Sequence, residues 1–248
     1  MDIPLPAYRW QGLIVAGIVI LAWIAALAYS LSLDLGVAHW SVIPLFMLLN
    51  TFLYTGLFIT AHDAMHGTVA PKHPRLNRWI GRTVTTLYAL FSFDMLLRKH
   101  REHHRHPASG DDPDFHDGEH RGLLRWYLHF FFTYVTWKQI LGMAVIYNVL
   151  LHLVGVGNLN LILFWALPAI MSTFQLFYFG TYLPHREPPG GYEEPHRARS
   201  NDYSIPLSFL TCYHFGYHYE HHAWPYVAWW KLPSARMKNL EERVTNVE

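Results

Sequence analysis

LIVAGIVILAWIAALAYSLSL, residues 13–33, runs for 21 positions without a charge. At 1.5 Å rise per residue such a helix is about 31 Å long, which matches the hydrocarbon core of a bilayer. No signal-peptide cleavage pattern follows, so the segment reads as a true span. Three more uncharged apolar runs lie further along the chain, at 41–61, about 140–156 and about 159–183. Gly155, Gly157 and Asn158 lie between the last two and mark a tight hairpin. A weaker stretch, residues 79–97, holds Arg82 and Asp94. It reads as a dip into the membrane or a re-entrant hairpin, because a full extra span would carry the following motifs to the opposite side.

Composition agrees with a membrane protein. Charged residues make up 15% of the chain, against about 25% in soluble domains. The 248 residues suffice for one domain, 1–248. A net charge of +1 leaves no basic excess to neutralise phosphates, which argues against a nucleic-acid binder. The single cysteine, Cys212, excludes an internal disulfide and thiolate metal sites, and it reads as a small buried side chain.

Arginine and lysine give the orientation. Arg9 precedes the first span, ten lie between residues 62 and 125, Lys138 starts the third span, and seven follow the fourth. The loops 34–40 and 155–158 have none. The positive-inside rule then places both termini and the long middle segment in the cytoplasm, the chain being multi-pass in the cytoplasmic (inner) membrane. The expected fold is an all-α integral membrane protein of two transmembrane hairpins, about four spans. A cytoplasmic helical cap, 62–125 and 184–248, holds a histidine-rich di-metal site.

The histidines carry most of the chemistry. Of 18, fifteen belong to the cytoplasmic side. His62-Asp-Ala-Met-His66 lies where the second span ends, and His100-Arg-Glu-His103-His104 follows the weak stretch. His218-Tyr-Glu-His221-His222 lies near the C-terminus. Positions i and i+4 share a helix face, so His62 and His66 can aim at one metal. In HxxHH, positions 1, 4 and 5 fall within an arc of about 100°, and the two adjacent histidines can serve different metals. His185, just past the fourth span, is a natural ninth. Nine imidazoles exceed what one ion takes; shared between two, they leave four or five each, which suits O₂ chemistry. Imidazole alone does not separate iron from zinc, copper or nickel.

Asp63, Glu102 and Glu220 sit inside the motifs, and Asp111, Asp112 and Asp114 follow the second. Such carboxylates can accept the outer ring N–H of a metal-binding imidazole, and Asp63, between two histidines, is the best placed; solvated loop acids are the alternative for the others. His214, four residues before His218, is open between a tenth ligand and a supporting donor, and His106 is also open. His39, His73, His116, His120, His129, His152 and His196 read as ordinary surface or core residues.

HxxxH, HxxHH and HxxHH around paired apolar hairpins resemble the membrane fatty acid desaturase and hydroxylase superfamily. Residues 60–67, 100–106, 112–115, 179–186 and 214–222, with the tail Pro225, Trp229, Trp230, Leu232 and Pro233, resemble its bacterial β-carotene 4-ketolases, over nearly the whole chain. The resemblance implies a non-haem di-iron oxygenase using two Fe²⁺ ions, O₂ and electrons from a donor such as reduced ferredoxin. The implied ligands are His62, His66, His100, His103, His104, His185, His218, His221 and His222. The implied reaction converts the C4 methylene of a β-ionone ring into a ketone by two hydroxylations and loss of water. It takes β-carotene to echinenone and canthaxanthin, and hydroxylated rings towards astaxanthin.

A carotenoid is dissolved in lipid, so it should reach the site between the spans. Phe91, Phe93, Tyr178, Phe179 and Tyr182 are candidate pocket residues, although packing or interfacial anchoring explains them as well. Residues 224–230 read as an interfacial anchor and 240–248 as a solvated helix end. The basic cap can dock an acidic ferredoxin or contact anionic lipid.

The alternatives within the superfamily are a fatty-acyl desaturase or hydroxylase, or a carotenoid ring hydroxylase. Acyl desaturases usually have one more residue in the first motif. A metal transporter would place ionisable groups at mid-membrane, where the first, second and fourth spans have none. A bis-histidine haem protein has no use for HxxHH twice.

Overall fold

The computed structural model describes residues 10–119 and 121–245, with side chains through residue 241. Arg9 and His120 lie outside the described residues, as do the side chains of the last stretch beyond Glu241. The described elements are helices: α1 Gln11–Leu31, α2 Val42–Met65, α3 Pro74–Ala89, α4 Phe93–Arg105, α5 Leu123–Tyr134, α6 Trp137–Val154, α7 Asn158–His185, α8 Ile205–Cys212, α9 His218–Ala223 and α10 Leu232–Thr245. Among them α1, α2, α6 and α7 are long and apolar enough to cross a membrane. They pair as two hairpins, α1–α2 and α6–α7.

Apolar side chains point outward from the rim of this bundle. Ile14, Ile18 and Leu21 of α1 are 59%, 63% and 68% exposed, as lipid-facing positions should be. Helix α2 is the centre, buried on almost every side from Asn50 to Ala64 and packed against α1, α3 and α7. Between apolar helices hydrophobic burial gives little drive to associate, so buried polar side chains join them. Asn50 donates to Ser30 Oγ at 2.9 Å, and Thr55 donates to Gln175 Oε1 at 2.7 Å. Gln175 in turn donates to the Thr211 carbonyl at 2.6 Å. Close approach is needed at Gly56, where a Cβ would stand 2.5 Å from the Tyr213 hydroxyl.

The weak stretch is a helical hairpin, α3 then α4. Pro74 opens α3, and Leu90 ends it in the left-handed region (φ 56°). Ser92 caps α4, accepting from Met95 N at 3.3 Å. Its two mid-stretch charges find partners: Asp94 accepts from Arg78 at 2.6 Å and from Arg82 at 2.8 Å. The last hairpin turns at Gly155 (φ 80°), with Val156 N bonding back to Leu150 O at 2.9 Å.

Helix α2 continues past Ala61 to Met65, which keeps His62 in regular helix. Asn77 of α3 supports that last turn by donating to Ala64 O at 2.6 Å. Helix α7 is not uniform. It widens into π-turns at Ile162–Ala166 and Tyr178–Tyr182. Each stands two residues before a proline, Pro168 and Pro184, whose missing N–H and bulky ring cannot continue the i to i−4 ladder. The second widened turn lies directly above His185.

Candidate metal centre

Four helix ends meet at one place. The end of α2 brings His62 and His66, and α4 brings His100, His103 and His104. His185 is the last residue of α7, and α9 brings His218, His221 and His222. The nine side chains separate into two groups. His62, His66, His100, His104 and His221 form one; His103, His185, His218 and His222 form the other. Within each, the nitrogens lie within 4.8 Å of one another.

The division follows from helical spacing. In each HxxHH motif the i and i+4 members share a face, and the i+3 member leans aside. His100 and His104 therefore serve the five-membered group while His103 crosses to the other. On α9 the roles reverse: His218 and His222 stay with the four-membered group and His221 crosses over. Each adjacent pair, His103-His104 and His221-His222, thus gives one ring to each group.

The nitrogen spacing fits metal ions. His66 and His100 Nε2 are 2.7 Å apart, His62 and His221 Nε2 3.1 Å, and His104 and His221 Nε2 3.0 Å. In the other group, His222 Nε2 is 3.1 Å from both His103 and His218. Two nitrogens each about 2.1 Å from one ion and at right angles would stand about 3 Å apart. His185 supplies a sharper test. Its Nδ1 donates to the Arg197 carbonyl at 3.0 Å, so Nε2 carries a bare lone pair. That Nε2 is buried without a hydrogen-bond partner. His103 is fixed in the same sense: Asp112 accepts from its Nδ1 at 2.9 and 3.0 Å, which turns Nε2 towards the group. The residues present fit two metal ions.

Electrostatics set the rings apart. Burial and neighbouring positive charge push His66 down to about 3, and burial with mutual repulsion holds His100, His104, His218, His221 and His222 well below the usual imidazole value. These rings are neutral at physiological pH, the form that binds metal. His103 is the exception. Burial lowers it too, but Asp112 and Asp114 outweigh burial and push it up to about 9.

The acids differ in role. Asp112 is fully engaged: besides His103 it accepts from Ala108 N and Asp114 N, both at 2.9 Å. Asp114 accepts from the Tyr134 hydroxyl and lies 3.7 Å from His103 Nδ1. Burial, partly offset by His103, raises Asp114 to about 6. Asp63 Oδ1 is 3.9 Å from His62 Nδ1, beyond hydrogen-bonding distance, and its Oδ2 accepts from Trp229 N at 3.4 Å. Glu102 is solvated beside Arg105, whereas Glu220 is fully buried; it accepts from Asn239 at 2.7 Å and Arg236 at 3.2 Å, and from Ser200. His214 stands outside both groups, stacked on Tyr217, with a buried, unpartnered Nδ1; burial pushes it down to about 4. Asp111 is exposed, and His106 joins neither group.

An apolar cleft opens beside the histidines, with a cavity volume of about 80 Å³. Phe58, Met65, Leu96 and Phe215 line it, with His62, His100, His103 and His218 at its floor. It shares Tyr88, Phe91, Phe131, Val135 and Thr173 with a second apolar groove running between α6 and α7. Of the five aromatic candidates, Phe91 lines the cleft; Phe93 is packed against Gly81, and Tyr182 meets Trp126 edge-on. Tyr178 and Phe179 are absent from its lining. The cleft-lining places of Tyr134 and Thr181, and the tie from Glu220 of α9 to Arg236 and Asn239 of α10, have no local pattern in the sequence; only the assembled helices reveal them.

The fatty acid desaturase family matches residues 38–144 and 133–245. Beta-carotene ketolases from two strains of Paracoccus sp. are similar. One is 46% identical over 231 residues, 91% of this chain and 92% of that protein. The other is 43% identical over 219 residues, 88% and 89% respectively. A zeaxanthin 4-ketolase from Chlamydomonas reinhardtii is 44% identical over 230 residues, 92% of this chain and 50% of that protein.

Proposed function

The chain belongs to the fatty acid desaturase family and, within it, to the β-carotene ketolases, and from that premise we propose how its residues carry the ketolase reaction. The substrate is a carotenoid β-ring, and its C4 methylene becomes a ketone. β-Carotene gives echinenone and then canthaxanthin, and hydroxylated rings lead towards astaxanthin. The observation that carries the reading is the apolar cleft floored by two histidine groups. A cleft of this chemistry suits a hydrocarbon ring better than a strongly polar substrate. The ketolase relatives favour it over an acyl chain.

We assign the five-histidine group to one iron and the four-histidine group to the other. When bound, the two irons with O₂ and an external reductant supply the redox chemistry that inserts oxygen into the C4–H bonds. The protein does the rest. Asp112 and the Arg197 carbonyl fix His103 and His185 with Nε2 presented inward. Phe58, Leu96 and Phe215 exclude water and hold the ring over the floor. The groove between α6 and α7 holds the polyene and opens towards lipid. Two oxidations at one carbon give a gem-diol, which loses water. The chain works as a single domain in the inner membrane with the histidines cytoplasmic and a ferredoxin-type donor at the basic cap.

The test is expression in cells that accumulate β-carotene, beside a His103→Ala control, with pigments read by chromatography. Echinenone or canthaxanthin in the parent alone is the expected result. Unchanged β-carotene from folded, iron-loaded protein would sink the ketolase assignment. Two irons per purified chain is the expected metal content, and zinc or a single ion would overturn the di-iron assignment.

A further inference from the structure

Oxidising one carbon twice poses a problem that oxidising it once does not. After the first round the ring bears a C4 hydroxyl inside an apolar cleft. A buried hydroxyl without a partner is unfavourable, so the alcohol would leave before its second oxidation unless the cleft offers it a hydrogen bond. The cleft has few groups to offer. The Tyr88 hydroxyl is bonded to Ser172 Oγ at 2.6 Å. Thr173 is bonded to Tyr127 at 2.7 Å and to the Ile170 carbonyl at 2.7 Å. Tyr134 is committed to Asp114, and Asp114 also faces His103.

Thr181 is different. It lines the cleft and is buried, and its hydroxyl makes no hydrogen bond among the described residues. Thr51, Thr55 and Thr60, by contrast, each turn back onto the carbonyl four residues earlier. That is the ordinary resting place of a helical threonine hydroxyl. Thr181 lies in the widened turn Tyr178–Tyr182, where the i to i−4 geometry is lost ahead of Pro184. It lines the cleft together with His103 and His218 of the four-histidine group. The neighbouring Gly180 lets Phe215 close in, since a Cβ there would stand 2.4 Å from its ring.

We propose that the Thr181 hydroxyl holds the C4 hydroxyl of the half-oxidised ring and keeps it over the histidines for the second oxidation. The inference rests on the ketolase reading. Each round consumes one O₂, two electrons from the reductant and two protons, placing one oxygen atom on C4 and releasing the other as water. Thr181 changes none of that balance; it decides whether the alcohol stays for the second round or leaves. It is a positioning residue for the intermediate, set in a turn that Pro184 has opened.

The experiment compares parent, Thr181→Val and Thr181→Ser enzymes in membranes given reductant and β-carotene, with 4-hydroxy and 4-keto rings counted by chromatography. Valine keeps the shape and loses the hydroxyl; serine keeps the hydroxyl. The alcohol-to-ketone ratio should rise about three- to tenfold in T181V, the scale of one lost hydrogen bond, and return towards the parent value in T181S. Supplied directly with a 4-hydroxylated carotene, T181V should lose the same factor in kcat/KM relative to its value on the unhydroxylated ring. An unchanged ratio in T181V, a T181S enzyme as altered as T181V, or equal losses on both rings would overturn the proposal. A parent that oxidises no carotenoid would instead fail the ketolase reading, and this inference with it.

Discussion

The two histidine groups are built from the same motifs and supported in different ways. In the four-membered group every ring is buried, and two rings are aimed by outer partners, His103 by Asp112 and His185 by the Arg197 carbonyl. In the five-membered group His66, His100 and His104 are half-buried. No carboxylate stands within hydrogen-bonding distance of its ring nitrogens among the described residues, Asp63 being 3.9 Å from His62. One site is oriented by hydrogen bonds, the other by the helices that carry it and by ring-on-ring packing. Alike histidine motifs therefore do not make alike sites: one group should be rigid and the other adaptable, with the cleft touching both.

The largest expected effects come from removing a histidine. Any of the nine replaced by alanine should lower ketone formation at least about a hundredfold, because an emptied position alters a metal's geometry. The groups should separate in stability. His103→Ala leaves Asp112 buried without its imidazole, which costs about 3 kcal/mol or more; His104→Ala strands no carboxylate. Thermal unfolding of the metal-free variants measures this, and equal midpoints would break the comparison. Next in size, Asp112→Asn should weaken one metal about ten- to a hundredfold against a competing chelator and leave the other in place. Simultaneous loss of both would show that the sites are not independently supported. Glu220→Ala should cost about 3 kcal/mol by leaving Arg236 and Asn239 without their buried acceptor. Since α9 feeds both groups, this variant should weaken both metals alike, and a selective loss would sink the idea that Glu220 only anchors α9.

Much of this was legible in the sequence because each signal is local. The uncharged run 13–33 and its three companions foretell α1, α2, α6 and α7, and the i, i+4 histidines foretell which rings share a face. The crossing of His103 and His221 between groups was legible as a possibility, since adjacent ligands can serve different metals. What was hidden depends on chain crossings. Glu102 and Glu220 occupy the same place in their motifs, yet one is solvated and the other buried; what decides is whether a distant helix such as α10 covers the position. Thr181 is likewise one of many threonines until the turn ahead of Pro184 frees its hydroxyl, and Tyr134 gains meaning only where α5 meets residues 112–114.

The smallest expected effect is also the one in which His103 should differ in sign from the other rings, His218 and His222 of its own group included. His66, at about 3, and the rings held low beside it take up protons less readily in the folded chain than in the unfolded one, whose imidazoles titrate near 6.5. As pH falls below about 6.5 the unfolded chain gains protons that the folded metal-free chain does not, so stability falls towards acid. His103, pushed up to about 9 by Asp112 and Asp114 against burial, works the other way. Its contribution is fully present below about 6.5 and is lost as pH rises through about 9. Metal-free protein should therefore unfold more easily at both ends of the range 5–9, for separate reasons. Asp112→Asn removes the main support for the charged His103, so it should flatten the alkaline limb and leave the acid limb in place. Thermal midpoints across pH with chelator present check it. Were the alkaline limb to survive in the variant, the ion pair would not be what distinguishes the four-histidine group, and its rigidity would have to rest on burial alone.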